Sequence, residues 1–140
     1  MFAIKKKRQH PEQDLCMCFV REIDALKAYG IIQSDLILIR LTLGASIGTT
    51  KNRVMAASIE RAMGAHPGAS DFLLVWRDKI TGLPKILFLE AKIKGNYQQD
   101  NQKDFERKAK DAGCLYKIFH TVDEGLSQLK SSGVFFKQMG

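Results

Sequence analysis

Cysteine is scarce in this chain, with three among 140 residues, at positions 16, 18 and 114. An odd count with no CxxC spacing and no paired histidines supports neither a disulfide framework nor a tetrahedral zinc site. Free thiols are expected, and Cys16 and Cys18, sharing one helix, should point in different directions. No apolar run approaches the length of a membrane span. The basic opening Met1-Phe2-Ala3-Ile4-Lys5-Lys6-Lys7-Arg8 lacks the apolar stretch that follows the charges of a secretory signal, so a cytoplasmic protein is expected. There is no internal repeat and no low-complexity segment. Gly44-Ala45-Ser46-Ile47-Gly48 lacks the GK[ST] ending of a phosphate-binding loop, and no Ser/His/Asp spacing marks a hydrolase triad.

What is present is a hydrophobic fraction of 45%, sufficient for one domain with a real core. Residues 1–9 read as a basic arm and 10–140 as a single domain. The net charge of +7 suits a polyanionic partner such as nucleic acid, the plain alternative being a soluble domain that happens to be basic.

Pro11 suits the first turn of a helix, and Glu12, Leu15, Cys16, Phe19, Ile23 and Leu26 then fall on one stripe until Gly30 closes it. Residues 36–41 predict a strand, 44–50 a flexible loop and 51–63 a second helix. Asp71–Trp76 and Lys85–Lys92 predict two strands joined by a turn over 78–84. A third helix is expected over 98–112, stopped by Gly113. A strand follows over 115–119, then a helix from Val122 to about Lys130 with Thr121 as N-cap and Glu124 behind it. The apolar tail, 134–136, is available as an edge strand. The order α, β, α, β, β, α, β, α predicts an α/β fold, a mixed sheet flanked by helices.

The chemistry concentrates at Glu90-Ala91-Lys92. Residues two apart on a strand share a face, so Glu90 and Lys92 point together. They follow the apolar run Ile86-Leu87-Phe88-Leu89, and two charges at the end of a buried strand are costly unless paired or bound. Asp71 opens the preceding strand. A hairpin centred between Ile80 and Thr81 sets residue i opposite about residue 161 − i, which brings Asp71 against Glu90. Two carboxylates suit a hard divalent cation, and a lysine suits charge on a phosphate. The alternative is a Glu90–Lys92 ion pair with Asp71 capping the strand start. Gln102, on a stripe with Phe105, Ala109 and Ala112, and Glu12, on the stripe of the first helix, add polar groups to inward faces. Their alternatives are a solvated glutamine and a glutamate favoured by the helix dipole. His66, in a turn before Pro67, reads as structural, and His120 at a strand end reads as non-catalytic.

These segments resemble the VRR-NUC domains of the PD-(D/E)xK nuclease superfamily. Gly64-Ala65-His66-Pro67-Gly68-Ala69-Ser70-Asp71-Phe72-Leu73-Leu74 is similar to the family's glycine, glycine-x-proline-aspartate and apolar segment, with Ser70 where the family generally has proline. Phe88-Leu89-Glu90-Ala91-Lys92 and Gln102 resemble its ExK and glutamine motifs, and Ala112-Gly113 with Thr121-Val122-Asp123-Glu124 its ending. The resemblance covers about residues 10–130.

It implies a restriction-endonuclease-like fold and a Mg²⁺- or Mn²⁺-dependent phosphodiesterase acting on DNA. Asp71 and Glu90 would be metal ligands, Lys92 the catalytic lysine, and Gln102 a support from the next helix. Glu12 would match the acidic residue of the first helix and join the metal ligands, with Glu22 as its competitor, and the Ala91 carbonyl would add a further metal oxygen. Lys51, Asn52, Arg53 and Lys94 would contact DNA. Stand-alone members occur in phages and bacteria, and some act on Holliday junctions, usually as dimers, so a homodimer in a bacterial or phage-infected cell is expected. The competing readings are a non-catalytic DNA-binding module and a nuclease subunit that needs a partner protein.

Overall fold

Phe72, Leu74 and Trp76 alternate with Leu73, Val75 and Arg77, and this period of two gives one strand a fully buried face and a wetter one. The rest of the sheet follows the same logic. A computed structural model describes residues 11–41, 55, 64 and 68–138. Along the chain these form α1 (Pro11–Ala28), β1 (Ile37–Arg40), β2 (Phe72–Arg77), β3 (Pro84–Ala91), α2 (Asp100–Asp111), β4 (Leu115–Phe119) and α3 (Val122–Ser132). The fold is α/β, a four-stranded mixed sheet in the order β1-β2-β3-β4. β1 and β3 run antiparallel to β2. β4 runs parallel to β3, because α2 carries the chain back across the sheet before it.

The β2–β3 hairpin pairs Phe72 with Leu89 and Trp76 with Lys85, the register expected from its symmetry. Phe72, Leu74, Leu87, Leu89, Ala91 and Phe119 belong to one buried cluster with Phe19 and Ile23 of α1 and Leu129 of α3. Phe19 stands at its centre, 5.5 Å from the Phe72 ring and 4.9 Å from the Phe119 ring. Each such tilted pair contributes on the order of 1 kcal/mol beyond the area it buries. α2 lies on the other face, where Phe105 meets Phe88 edge-on at 4.9 Å and Tyr116 at 6.2 Å.

Several boundaries shift by a residue or two. α2 starts at Asp100, with Gln99 as its N-cap, and α3 runs on to Ser132. The Thr121 hydroxyl accepts the Glu124 N–H at 3.1 Å, as expected of that cap. Cys16 is buried and Cys18 exposed, on opposite sides of α1, while Cys114 is half-buried. The apolar tail does not extend the sheet. Phe136 instead makes an isolated bridge to Ile32, and the Phe135 carbonyl and N–H bond the main chain and side chain of Gln33. Gln33 supplies donors and acceptors that a tail strand would have sought from β1. The arm 1–9, and the helix expected over 51–63, fall outside the described residues apart from Met55, which is helical. No described helix is long and apolar enough to cross a membrane.

Gly125 shows how tightly α3 seats on this core. A Cβ there would lie 2.9 Å from the Phe19 ring and 3.0 Å from the Phe119 ring. Both rings are locked in the cluster, so overpacking, at about 1–3 kcal/mol, outweighs the roughly 1 kcal/mol that alanine gains in a helix. Gly125→Ala is expected to lower the thermal midpoint by about 3–6 °C, measured by calorimetry; an unchanged or higher midpoint would contradict this packing.

Candidate active site

Asp71 stands where β2 begins, and three partners hold it. Its carbonyl accepts the Leu41 N–H at 2.9 Å, its Oδ2 accepts the Ala91 N–H at 2.8 Å, and its Oδ1 lies 3.5 Å from the Arg40 guanidinium. Arg40 is itself seated 5.2 Å over the Phe72 ring. The Asp71 side chain thus takes over from the ladder at the hairpin's open end, satisfying an amide of β3 that no residue of β2 reaches.

Glu90, opposite Asp71, is only 2% exposed. Its Oε1 accepts from Gln102 Nε2 at 2.6 Å and its Oε2 accepts the Tyr116 hydroxyl at 2.5 Å. Gln102 is fixed at both ends, since its own Oε1 accepts the Gln99 N–H at 2.8 Å. That bond caps α2 and sets the amide so that its nitrogen faces Glu90. One glutamine thus both caps the helix start and steadies the carboxylate.

Lys92 is 8% exposed and follows Glu90 past the end of β3. Its backbone is clamped, the N–H donating to Phe119 O at 2.9 Å and the carbonyl lying 2.8 Å from His120 Nδ1. Among the described residues its ammonium makes neither hydrogen bond nor ion pair with Glu90 or Asp71, so the simple Glu90–Lys92 pair does not form. Its charge still reaches both acids and favours their ionised forms.

Asp71, Glu90, Ala91, Lys92, Gln102 and Glu12 line one cleft of about 270 Å³, with Gly68, Ala69, Gln99 and Asn101 completing its wall. Gly68 has φ +81°, and a Cβ on it would lie 2.4 Å from Asn101 O, so only glycine lets this approach meet the start of α2. Ser70, wholly buried, donates its hydroxyl to Phe72 O at 2.9 Å, a bond the expected proline lacks the group to make. Glu12 sits at the rim, its Oε1 accepting from Asn96 Nδ2 at 3.0 Å. Glu22 is exposed further along α1 and is not part of the cleft wall. Lys94 is exposed on the turn after β3, also outside the wall. Lys51, Asn52 and Arg53 lie outside the described residues.

Sequence reasoning missed Tyr116 and Arg40, both read only as strand residues. The apolar neighbours of each gave no sign of which carboxylate it would meet across the sheet.

Burial is the largest influence on both acids and raises each above its ordinary range. The Ala91 amide and Arg40 oppose it at Asp71, and the Tyr116 hydroxyl and Lys92 oppose it at Glu90. Burial, then the Glu90 carboxylate, push the Tyr116 phenol far up, so it stays a donor. Among the described residues no three His, Cys, Asp or Glu side chains gather closely enough to hold a metal alone. Two carboxylates on an open cleft nevertheless fit Mg²⁺ or Mn²⁺, which keep several waters and take one or two carboxylates together with substrate phosphate. A cation there would also relieve the burial cost of two neighbouring negative charges.

No family model matches the chain, and no curated protein does. A solved structure named "VRR_NUC domain protein" is similar to it over 90% of both chains, with 15% identity and a TM-score of 0.55. The chain has a VRR-NUC-like fold.

A raised carboxyl binds its proton more readily in the folded chain than in the unfolded one. Asp71 and Glu90 therefore cost no stability below the ordinary carboxylate value, about 4, and cost progressively more as pH climbs from there through their raised values. Asp71→Asn and Glu90→Gln remove those charges. In urea unfolding without divalent metal, the stability of each variant relative to wild type is expected to grow as pH rises from about 4 and to level off once pH has passed the raised values. A flat or shrinking difference would refute the raised values.

Proposed function

We propose that this chain is a divalent-metal-dependent endodeoxyribonuclease that hydrolyses phosphodiester bonds, with branched DNA such as Holliday junctions as its preferred substrate. The observation that carries this reading is a single one. Asp71, Glu90, Lys92 and Gln102 meet in one cleft, although two of them are buried and charged. A fold retains such costly groups where they hold or transform something. The likeness to a VRR_NUC domain structure supports the same reading.

In this proposal Asp71 and Glu90 hold Mg²⁺ or Mn²⁺, with the Ala91 carbonyl beside them. Such an ion supplies a polarised phosphodiester and a bound water of lowered pKa. Lys92 pairs with neither Asp71 nor Glu90 among the described residues, so its ammonium can donate to a phosphate oxygen as charge builds there. Gln102 keeps Glu90 in one orientation, and Glu12 steadies the turn after β3 through Asn96. Lys94 and the segment of Lys51, Asn52 and Arg53 contact DNA phosphates, which position the substrate without reading its sequence.

Purified protein with Mn²⁺ or Mg²⁺ is expected to cut one or more of a labelled junction, flap and plain duplex, with the junction cut fastest. Lys92→Ala should lower the cleavage rate by at least about 100-fold, the usual scale for losing a group that stabilises transition-state charge. Cleavage that survives this substitution sinks the mechanism, and salt-sensitive binding without cleavage in any divalent metal points instead to a DNA-binding module.

One cleft in a chain of this size cannot address both strands of a junction, so paired incisions call for two copies related by symmetry. Light scattering at micromolar concentration is expected to report a homodimer; a fully active monomer would refute this. A second protein co-purifying in fixed ratio would favour a subunit that needs a partner.

A further inference from the structure

Tyr116 has no part in the motif that marks the site, yet it makes the shortest contact to Glu90. β4 pairs Tyr116 with Phe88, two residues before Glu90 on the same face of β3. A side chain as long as tyrosine reaches such a diagonal neighbour. Its ring is held by Phe105, 6.2 Å away, which leaves the hydroxyl 2.5 Å from Glu90 Oε2. Tyr116 does not line the cleft. It grips the carboxylate from behind, while Gln102 holds the other oxygen at the cleft wall.

The direction of that bond is settled by a third group. Gln98 Nε2 donates to the Tyr116 oxygen at 3.2 Å and also to Glu106 Oε1 at 3.0 Å. A phenol has one proton to give. With Gln98 donating into its oxygen, that proton goes to Glu90. Glu106 is paired in turn with Lys110 at 2.6 Å. A chain of contacts thus runs from the cleft to the outer surface of α2, through the loop before α2 and the strand after it. A buried carboxylate needing only a partner would be satisfied by the glutamine and one further donor. Here that second donor is itself oriented.

We propose that Tyr116, oriented by Gln98, is a positioning residue that holds Glu90 so that the carboxylate turns its remaining lone pairs into the cleft toward a divalent cation. This rests on the nuclease reading above. Groups that orient a metal ligand typically change metal affinity roughly 10- to 100-fold when removed.

The test is calorimetric titration of Mn²⁺ alone into the wild type, Tyr116→Phe and Gln98→Ala, with a melting curve of each metal-free protein alongside. Tyr116→Phe keeps the ring and its contact with Phe105. It is expected to bind Mn²⁺ about 10-fold or more weakly, with Gln98→Ala weakened in the same direction by a smaller factor. Wild-type affinity in Tyr116→Phe overturns the inference, even if its melting point falls, because that pattern describes a hydroxyl that only stabilises. Should Tyr116→Phe fail to fold, Gln98→Ala decides, and wild-type affinity in it overturns the inference. A wild type that binds no Mn²⁺ and cuts no DNA overturns the nuclease reading and this inference with it. A wild type that binds and cuts, with both variants unaltered, overturns this inference alone.

Discussion

The pairing of β2 with β3 is the constraint from which the site follows. Phe72 faces Leu89, so the next residues outward, Asp71 and Glu90, are brought together where the ladder ends. There the Asp71 carboxylate takes the Ala91 N–H in place of a main-chain partner. A shift of one residue would turn every side chain of β3 to the opposite face, sending Glu90 into the Phe19 cluster and Leu89 into the cleft. Because Leu87 and Leu89 are completely buried, that alternative is closed. The hydrophobic core thereby sets the placement of the acids.

Once there, the acids demand support, and each neighbouring element supplies some. α2 sends Gln102, whose amide also caps that helix. β4 sends Tyr116, and β1 sends Arg40 toward Asp71. These donors soften the burial cost without cancelling it, since both acids remain raised above their ordinary range. That residual cost is what the cation of the proposed reaction would relieve on binding. Gly68 belongs to the same economy of space, letting the approach to Asp71 press against the first turn of α2.

Much of this was legible from residues alone. The helical stripe of Cys16, Phe19 and Ile23, the alternation in 72–77 and the Thr121 cap are local signals, and each acts within a few residues of itself. The Asp71–Glu90 juxtaposition is longer in range, but a hairpin has a centre of symmetry, and the turn at Thr81-Gly82 locates it. The tail at 134–136 misled, because an apolar run marks a segment fit for pairing without naming its partner. The side chain of Gln33 claims it near Ile32. Glu12 and Glu22 lie on the same helix, and only the position of α1 against the cleft separates them.

The sequence by itself determined the order of the described elements, the hairpin register, and a shared location for Asp71, Glu90 and Lys92, since short-range periodicity and turn symmetry require nothing from the rest of the chain. The tertiary structure decided which groups surround them. Tyr116 reaches Glu90 across a parallel pairing whose register depends on the length and packing of the intervening helix, and no symmetry of the sequence encodes that. It decided likewise that Lys92 stands apart from Glu90 and that Ser70 turns inward to Phe72. Side-chain direction at the end of a strand is set by what packs against it, and those neighbours come from distant parts of the chain.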